Sequence, residues 1–190
     1  MSIVLFLGRS VKEYKEENER IIEGLIKAGN LRCELCTQPM KRHSGYERGI
    51  KETGERLSIT MVWCKTCRKW HALLPDFLLP GKHYSGNEIE SVIIDSAAVD
   101  VSEIETEASE STVRRWIVHI GERMEGACGV LKYLFNRAGR AIGELTITAG
   151  TTYNELEQLL EMAPKRIKSS GNKLGLANLW IGTTDNKAYI

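Results

Sequence analysis

The fold of the central part of the chain is decided by two short stretches, CELC at residues 33–36 and CKTC at residues 64–67. Two residues between paired cysteines allow a tight turn to point both sulfur atoms at one tetrahedral ion. The 27 residues between Cys36 and Cys64 leave room for a two-stranded hairpin. The spacing therefore predicts a small β zinc ribbon in which one structural Zn²⁺ is bound by Cys33, Cys36, Cys64 and Cys67.

Other interpretations of the cysteines and nearby histidines stay open. The four thiols could be buried without a metal, or one pair could be redox-active, although a thioredoxin-like pair would be expected in a βαβ pattern. His43 or His71 could serve as a ligand, but four thiolates already complete a zinc shell. Cys128 stands alone and is most simply a buried, small apolar side chain.

Strand and turn signals surround the cysteine pairs. Short strands are predicted at residues 40–46 and 57–63, where apolar and polar residues alternate, with a turn around Gly54. A further short strand is predicted at residues 3–7. Ser10 and Glu13 form a capping box that opens an amphipathic helix, and Gly29 closes it. Two prolines between residues 73 and 81 predict an extended path out of the ribbon.

The rest of the chain is predicted to be helical. Capping boxes predict helices that begin at Ser85 and at Ser102, and Ser109 caps a third, at residues 110–124. These three helices with tight turns predict a helix-turn-helix-like trio. Later helices are predicted at residues 129–138 and 153–163, the second stopped by Pro164. Residues 169–190 are weakly patterned.

These elements predict an α+β fold that is mainly helical, with a small β zinc ribbon followed by a helical helix-turn-helix domain. The expected divisions are an N-terminal strand and helix (1–30), the zinc ribbon and linker (31–83), the helix-turn-helix-like trio (84–125) and a C-terminal helical region (126–190).

Charge is distributed in blocks, although the formal net charge is only +1. Residues 31–83 carry ten Lys or Arg against five Asp or Glu, whereas residues 84–111 carry eight acidic residues and no Lys or Arg. A cationic block can contact phosphates, and the acidic block should face away from them. No signal peptide or membrane anchor is recognisable at the N-terminus, so a cytoplasmic protein is expected.

Two groups of residues are candidates for nucleic-acid binding. Basic residues near the cysteines are interleaved with aromatic ones, a combination that neutralises phosphates and stacks on bases. The third helix of the trio exposes polar side chains near its N-terminus, from which a recognition helix reaches base edges. The alternative is an ordinary solvated surface with core aromatics for the first group, and pairing of the arginines with acids on the helix surface for the second. The candidate DNA-binding residues are Arg42, Arg48, Arg68, Lys69, Ser111, Arg114, Arg115 and His119.

The run from Ser109 to Trp116 resembles the opening of recognition helices in transposase and resolvase-type helix-turn-helix domains. More broadly, the cysteine pairs, the HALLPDFL run at residues 71–78 and the STVRRW run at residues 111–116 together resemble an uncharacterised bacterial family, found chiefly in Firmicutes. Its members combine a zinc ribbon with a helix-turn-helix and are linked to mobile elements. The resemblance covers about residues 30–125 and implies DNA binding by association. Glu107-Ala108 stands where that motif has a turn glycine.

The sequence thus favours a zinc-dependent, nucleoid-associated protein that binds double-stranded DNA, as a transcriptional regulator or as a DNA-recognition accessory in transposition. The alternative is an adaptor that binds a protein partner, such as a transposase, through the ribbon and acidic helices. A homodimer is compatible with both. No enzymatic activity and no catalytic residue is predicted, because Asp76, Asp95 and Asp100 are better explained as turn and helix-end residues.

Overall fold

The computed structural model describes residues 2–137, 151–162 and 167–185. Over these residues the fold is mixed α+β, roughly half helical, with one four-stranded sheet and five α-helices. The elements are β1 (Ser2–Leu5), α1 (Val11–Lys27), β2 (Lys41–Gly49), β3 (Arg56–Cys64), β4 (Lys69–Pro75), α2 (Gly86–Asp95), a 3₁₀ turn (Val101–Glu103), α3 (Glu110–Arg137), α4 (Thr152–Met162) and α5 (Lys173–Asp185).

The sheet has the strand order β1-β4-β3-β2. β2 and β3 form an antiparallel hairpin, which confirms both predicted ribbon strands, and Gly54 lies in its turn with φ +67°. β4 pairs antiparallel with β3, and the expected linker therefore begins as a strand that continues to Pro75. β1 pairs in parallel with β4, from Ser2 opposite Ala72 to Leu5 opposite Pro75. The N-terminal strand is thus part of the same sheet as the ribbon strands.

α1 covers this sheet. Its capping box forms as predicted, because the Ser10 hydroxyl accepts a hydrogen bond from the Glu13 N–H at 3.2 Å. Gly29, at φ +68°, follows the helix and lets the chain reverse. Tyr14 and Ile22 are buried in one apolar cluster with residues of the sheet. The amphipathic helix predicted from the sequence therefore packs on the ribbon strands.

The prediction of a helix that begins at Ser102 is wrong. The chain makes only a 3₁₀ turn there and is extended at Ile104, whose side chain is buried. The Thr106 hydroxyl donates to the Glu88 carboxylate at 2.5 Å and accepts from the Ala108 N–H at 3.1 Å. These bonds hold the segment against α2 in a non-helical conformation. α2 and α3 are therefore joined without the middle helix of the predicted trio.

α3 is longer than predicted. It begins at Glu110 as expected but continues to Arg137 instead of ending near residue 124, and it absorbs the helix predicted from residue 129. The apolar stripe continues through Met124, Ala127, Leu131 and Phe135, all buried. Burial of this stripe outweighs the cost of the helical glycines, about 1 kcal/mol each relative to alanine.

α3 packs with α2, α4 and α5 around a second apolar cluster. α4 confirms the helix predicted from residue 153, while the predicted stop at Pro164 lies outside the described residues. α5 was not predicted. Glu90 of α2 joins these helices, because its carboxylate accepts from the Tyr153 hydroxyl at 2.5 Å and from the Lys173 N–H at 2.7 Å. No helix in the described ranges is long and apolar enough to cross a membrane.

Candidate functional site

The four cysteines predicted as metal ligands lie together at one end of the sheet. Cys33 and Cys36 belong to the turn before β2, Cys64 ends β3, and Cys67 lies between β3 and β4. Their sulfur atoms all lie within 4.8 Å of one another, and the Cys36 and Cys64 sulfurs are 3.5 Å apart. Sulfurs around a tetrahedral Zn²⁺ with bonds of about 2.3 Å lie about 3.8 Å apart. The donor set and its spacing therefore fit a metal ion such as zinc.

The two Cys-x-x-Cys turns, which we call the knuckles (residues 33–37 and 64–68), have matching conformations. The residue after each second cysteine, Thr37 or Arg68, has a positive φ, 59° and 54°. They are the only non-glycine residues in the described ranges with a positive φ. Two backbone N–H groups of each knuckle also point at its first cysteine, Cys33 or Cys64. Both halves of the site are thus built by the same local geometry.

The surroundings of the cysteines lower the pKa of one thiol and raise the pKa of two others. The hydrogen bond from the Cys67 N–H lowers the pKa of Cys64 to about 7, and the two groups are 3.5 Å apart. Hydrogen bonding to Cys36 and burial raise the pKa of Cys67 to about 12. Burial raises the pKa of Cys33. A bound dication would favour the thiolate form of all four cysteines, because metal ligation requires deprotonated sulfur.

The other candidate ligands lie outside this cluster. His71 is fully buried in β4, and its Nε2 is 3.6 Å from the Cys33 sulfur, a contact suited to orienting that thiolate. Burial lowers the pKa of His71, which favours a neutral ring. His43 packs edge-on against Trp70, with ring centroids 4.1 Å apart. Cys128 is buried in α3 beside Thr152.

The four basic residues predicted on the ribbon have different environments. Arg42 pairs with Glu19 of α1. Arg48 is buried, with its guanidinium donating to the carbonyl oxygens of Leu79 and Lys82, so it holds the chain after β4 and is not available to phosphates. Arg68 in the second knuckle and Lys69 in β4 are exposed.

An aromatic patch, defined by His43, Trp63 and Trp70, lies on the ribbon. The two indole rings are 4.4 Å apart and tilted by 48°. Trp70 is 41% exposed, and it neighbours Lys69 in β4. An exposed indole next to a lysine can stack on a base, and it can equally pack against a protein.

The four residues of α3 that were predicted to bind DNA are all exposed. Arg114 pairs with Glu110 at 3.7 Å. Arg115 donates only to its own helix in the described part of the chain, to the Ser111 carbonyl at 3.2 Å and the Thr112 hydroxyl at 3.3 Å. His119 lies 3.8 Å from Glu122. Around the exposed face of α3, Ser111 lies between Arg114 on one side and Arg115 and His119 on the other.

Residues 33–116 match the model of a protein family described as a domain of unknown function, DUF6431. The matched segment covers less than half of the chain and runs from the first cysteine to Trp116 of α3. It therefore includes both knuckles, the hairpin, α2 and the start of α3. No curated protein and no solved structure matches the chain.

The sequence interpretation missed one feature of α3. Thr112, Arg115, His119 and Arg123 recur at intervals of three, four and four residues, which places them on one flank of a helix. That spacing could have been recognised in the sequence. The residues that face this flank could not be recognised in the sequence. Lys51 and Lys82 are brought to it only by the folding of the hairpin turn and of the segment after β4.

Proposed function

We propose that this protein binds double-stranded DNA and that one Zn²⁺, held by the four cysteines, stabilises its ribbon. Four sulfur ligands close the coordination shell, so the metal would supply folding energy and no open position for a substrate. The Cys33 and Cys64 sulfurs would accept hydrogen bonds from the knuckle N–H groups, and His71 would orient the Cys33 sulfur. We propose no catalytic role.

The observation that carries the DNA proposal is the environment of Arg115. This guanidinium is exposed near the start of α3 and has no acidic partner within the described residues. An unpaired arginine on the first turns of an exposed helix is suited to contact a duplex, whose recognition depends on phosphate and base-edge acceptors. The proposal covers a transcriptional regulator and a transposition accessory alike, because both need this surface.

A protein adaptor is the second candidate. Residues 99–110 include Asp100, Glu103, Glu105, Glu107 and Glu110, all exposed, and these carboxylates precede α3. Val118, on the outer face of the same helix, is 56% exposed. An acidic surface beside an exposed apolar residue suits a basic protein partner such as a transposase, and it would repel DNA.

The test is the binding of the zinc-loaded full chain to a fluorescent duplex of about 20 base pairs, roughly two helical turns, at several salt concentrations. We expect affinity that falls linearly with log salt, because phosphate contacts release counterions. Arg115→Ala should weaken binding by about 1–3 kcal/mol.

Arg114→Ala is the matched control, because it removes the same side chain at the next position, where Glu110 already pairs with it. It should cost less than Arg115→Ala. Absence of salt-dependent binding, or equal and unchanged affinity of both variants, would refute the proposal and leave the adaptor as the better explanation.

A further inference from the structure

A pocket of about 300 Å³ lies between the hairpin turn, the segment after β4 and the flank of α3. Cationic or titratable nitrogen side chains line it from all three elements. We call this the cationic pocket, and its five cationic or titratable lining residues with side-chain nitrogens are Lys51, Lys82, His83, Arg115 and His119. No carboxylate of the described residues lines it.

The walls of the cationic pocket are joined by hydrogen bonds. The Lys51 N–H donates to the His83 carbonyl at 2.8 Å, which fixes the hairpin turn to the segment after β4. The Arg48 guanidinium donates to the Lys82 carbonyl and, at 2.8 Å, to the Leu79 carbonyl, which fixes the same segment to β2. These bonds use backbone atoms of the lining residues, so their side chains stay available.

Aromatic rings connect this segment to α3. The Tyr84 and Trp116 rings pack edge-on at 4.8 Å, and both are buried. Lys51 Nζ lies 5.5 Å above the Tyr84 ring, a cation–π contact that holds the ammonium group over the aromatic surface. The pocket is therefore preformed across three elements.

The positive charges in the pocket are not neutralised by neighbouring acids. Lys51, Lys82 and Arg115 form no ion pair among the described residues, and the acidic contact of His119 is Glu122 at 3.8 Å. Burial, together with Arg123 and Arg115, lowers the pKa of Lys82. Like charges gathered around one pocket repel one another, and an anion would relieve that repulsion.

We infer that the cationic pocket binds a phosphate group, with the ammonium groups of Lys51 and Lys82 and the guanidinium of Arg115 as its donors. Two of the five N–H donors of Arg115 are used within α3, so the remaining ones can reach an anion. The volume equals that of about ten water molecules, enough for a phosphate with a sugar attached. This assigns Arg115 to a phosphate, whereas side chains at the start of this helix were expected to reach base edges.

The phosphate can come from the backbone of a duplex or from a small phosphorylated molecule. The first source rests on the proposed function and would make the pocket an anchor that sets the position of α3 on DNA, without sequence preference. The second does not depend on DNA binding. The same donors would serve both, so the experiment needs one arm for each source.

In the first arm, thermal unfolding of the zinc-loaded full chain is followed with increasing inorganic phosphate at constant ionic strength, with chloride as the balancing anion. The variants are Lys51→Gln, Lys82→Gln and the double variant. Lys12→Gln on α1, outside the pocket, removes the same charge and is the control. Phosphate should raise the unfolding temperature of the wild type and Lys12→Gln, and much less that of the double variant, since binding to the folded state stabilises it.

In the second arm, binding of the same proteins to two duplexes of unrelated sequence is measured. If the backbone of DNA is the source, each lysine variant weakens both duplexes equally and reduces the slope of log affinity against log salt by about one. If phosphate protects but duplex affinity is unchanged in the variants, a small phosphorylated molecule is the source.

The two proposals fail in different ways. A wild type that is protected by phosphate but binds no duplex refutes the DNA function and leaves the pocket standing. A double variant that matches Lys12→Gln in both arms overturns the pocket.

Discussion

Two residues in the left-handed backbone region, Thr37 and Arg68, show how the four-cysteine site is built. Each follows the second cysteine of a knuckle, in which two backbone N–H groups face the first cysteine. A non-glycine residue in this region costs about 1 kcal/mol or more. The same cost at two equivalent positions indicates that the knuckle geometry is required, and a metal bound to the four sulfurs would offset it.

The four-cysteine site leads to a prediction about the cysteines. Cys64→Ser should reduce bound zinc to well below one equivalent per chain, because three thiolates and a hydroxyl bind Zn²⁺ much more weakly than four thiolates. Elemental analysis of protein purified without chelator measures it. Cys128→Ala is the control, since Cys128 lies in α3 beside Thr152 and should leave the zinc content unchanged. Equal zinc in wild type and Cys64→Ser would show that the ligand assignment is wrong.

Among the elements, the hairpin and the helix starts could be predicted because local sequence determines them. The capping boxes at Ser10 and Ser85 both form, each with a hydroxyl to N–H distance of 3.2 Å. The same pattern at Ser102 failed, because Thr106 and the buried Ile104 hold the chain against α2. A capping signal thus predicts a helix only where an apolar stripe follows for it to bury.

The segment after β4 depends on a residue that the sequence could not identify. Arg48 was predicted to contact DNA because it is basic and lies near the cysteines, yet it is 7% exposed and bonded to the carbonyls of Leu79 and Lys82. Arg48 is buried because it lies in β2 next to a buried end of the hairpin. Local composition gives no sign of such long-range placement.

Arg48→Ala should lower the free energy of unfolding by about 1–3 kcal/mol, because the carbonyls of Leu79 and Lys82 both lose a charged donor and, among the described residues, the Leu79 carbonyl keeps only the Lys82 N–H. Urea unfolding of the zinc-loaded protein measures it. The control is Arg56→Ala, at the start of β3 on the same hairpin, where the arginine is exposed. It should stay within about 0.5 kcal/mol of the wild type. A similar small loss in both variants would mean that Arg48 does not hold this segment.

At the scale of the whole molecule, the two apolar clusters are joined at Asp76. This buried residue follows β4, and its carboxylate accepts from the Ser170 N–H at 2.6 Å and the Ser170 hydroxyl at 2.9 Å. Asn172 donates to the Asp76 carbonyl at 3.4 Å. Asp76 therefore has a structural explanation, as the link between the sheet and the chain that leads into α5.

α5 could not be predicted, because its polar residues form no distinct stripe. Leu174, Ala177, Asn178 and Ile181 are buried along one face, and Leu179 is buried on another. A helix buried on several sides has no polar stripe to reveal its period. Its existence depends on contacts with α2, α3, α4 and β1, which only the folded chain brings together. The parallel pairing of β1 with β4 is hidden for the same reason.

The contact between Asp76 and the start of α5 predicts the effect of adding one methyl group at Gly175, near the start of this helix. The Gly175 N–H donates to the Asn172 side chain at 2.5 Å, and a Cβ at this position would overlap the Asp76 carbonyl oxygen and come within 2.9 Å of its carbon. Neither backbone atom can move without shifting β4 or α5. Gly175→Ala should therefore destabilise the protein by about 1–3 kcal/mol or more, as overpacking does. Gly129→Ala in α3 is the control, because its added Cβ meets nothing within 4 Å and alanine favours a helix by about 1 kcal/mol. Denaturant unfolding should show a loss for the first variant and a gain for the second. If Gly175→Ala unfolds like the wild type, α5 is not packed against the end of β4, and the two clusters are not joined at Asp76.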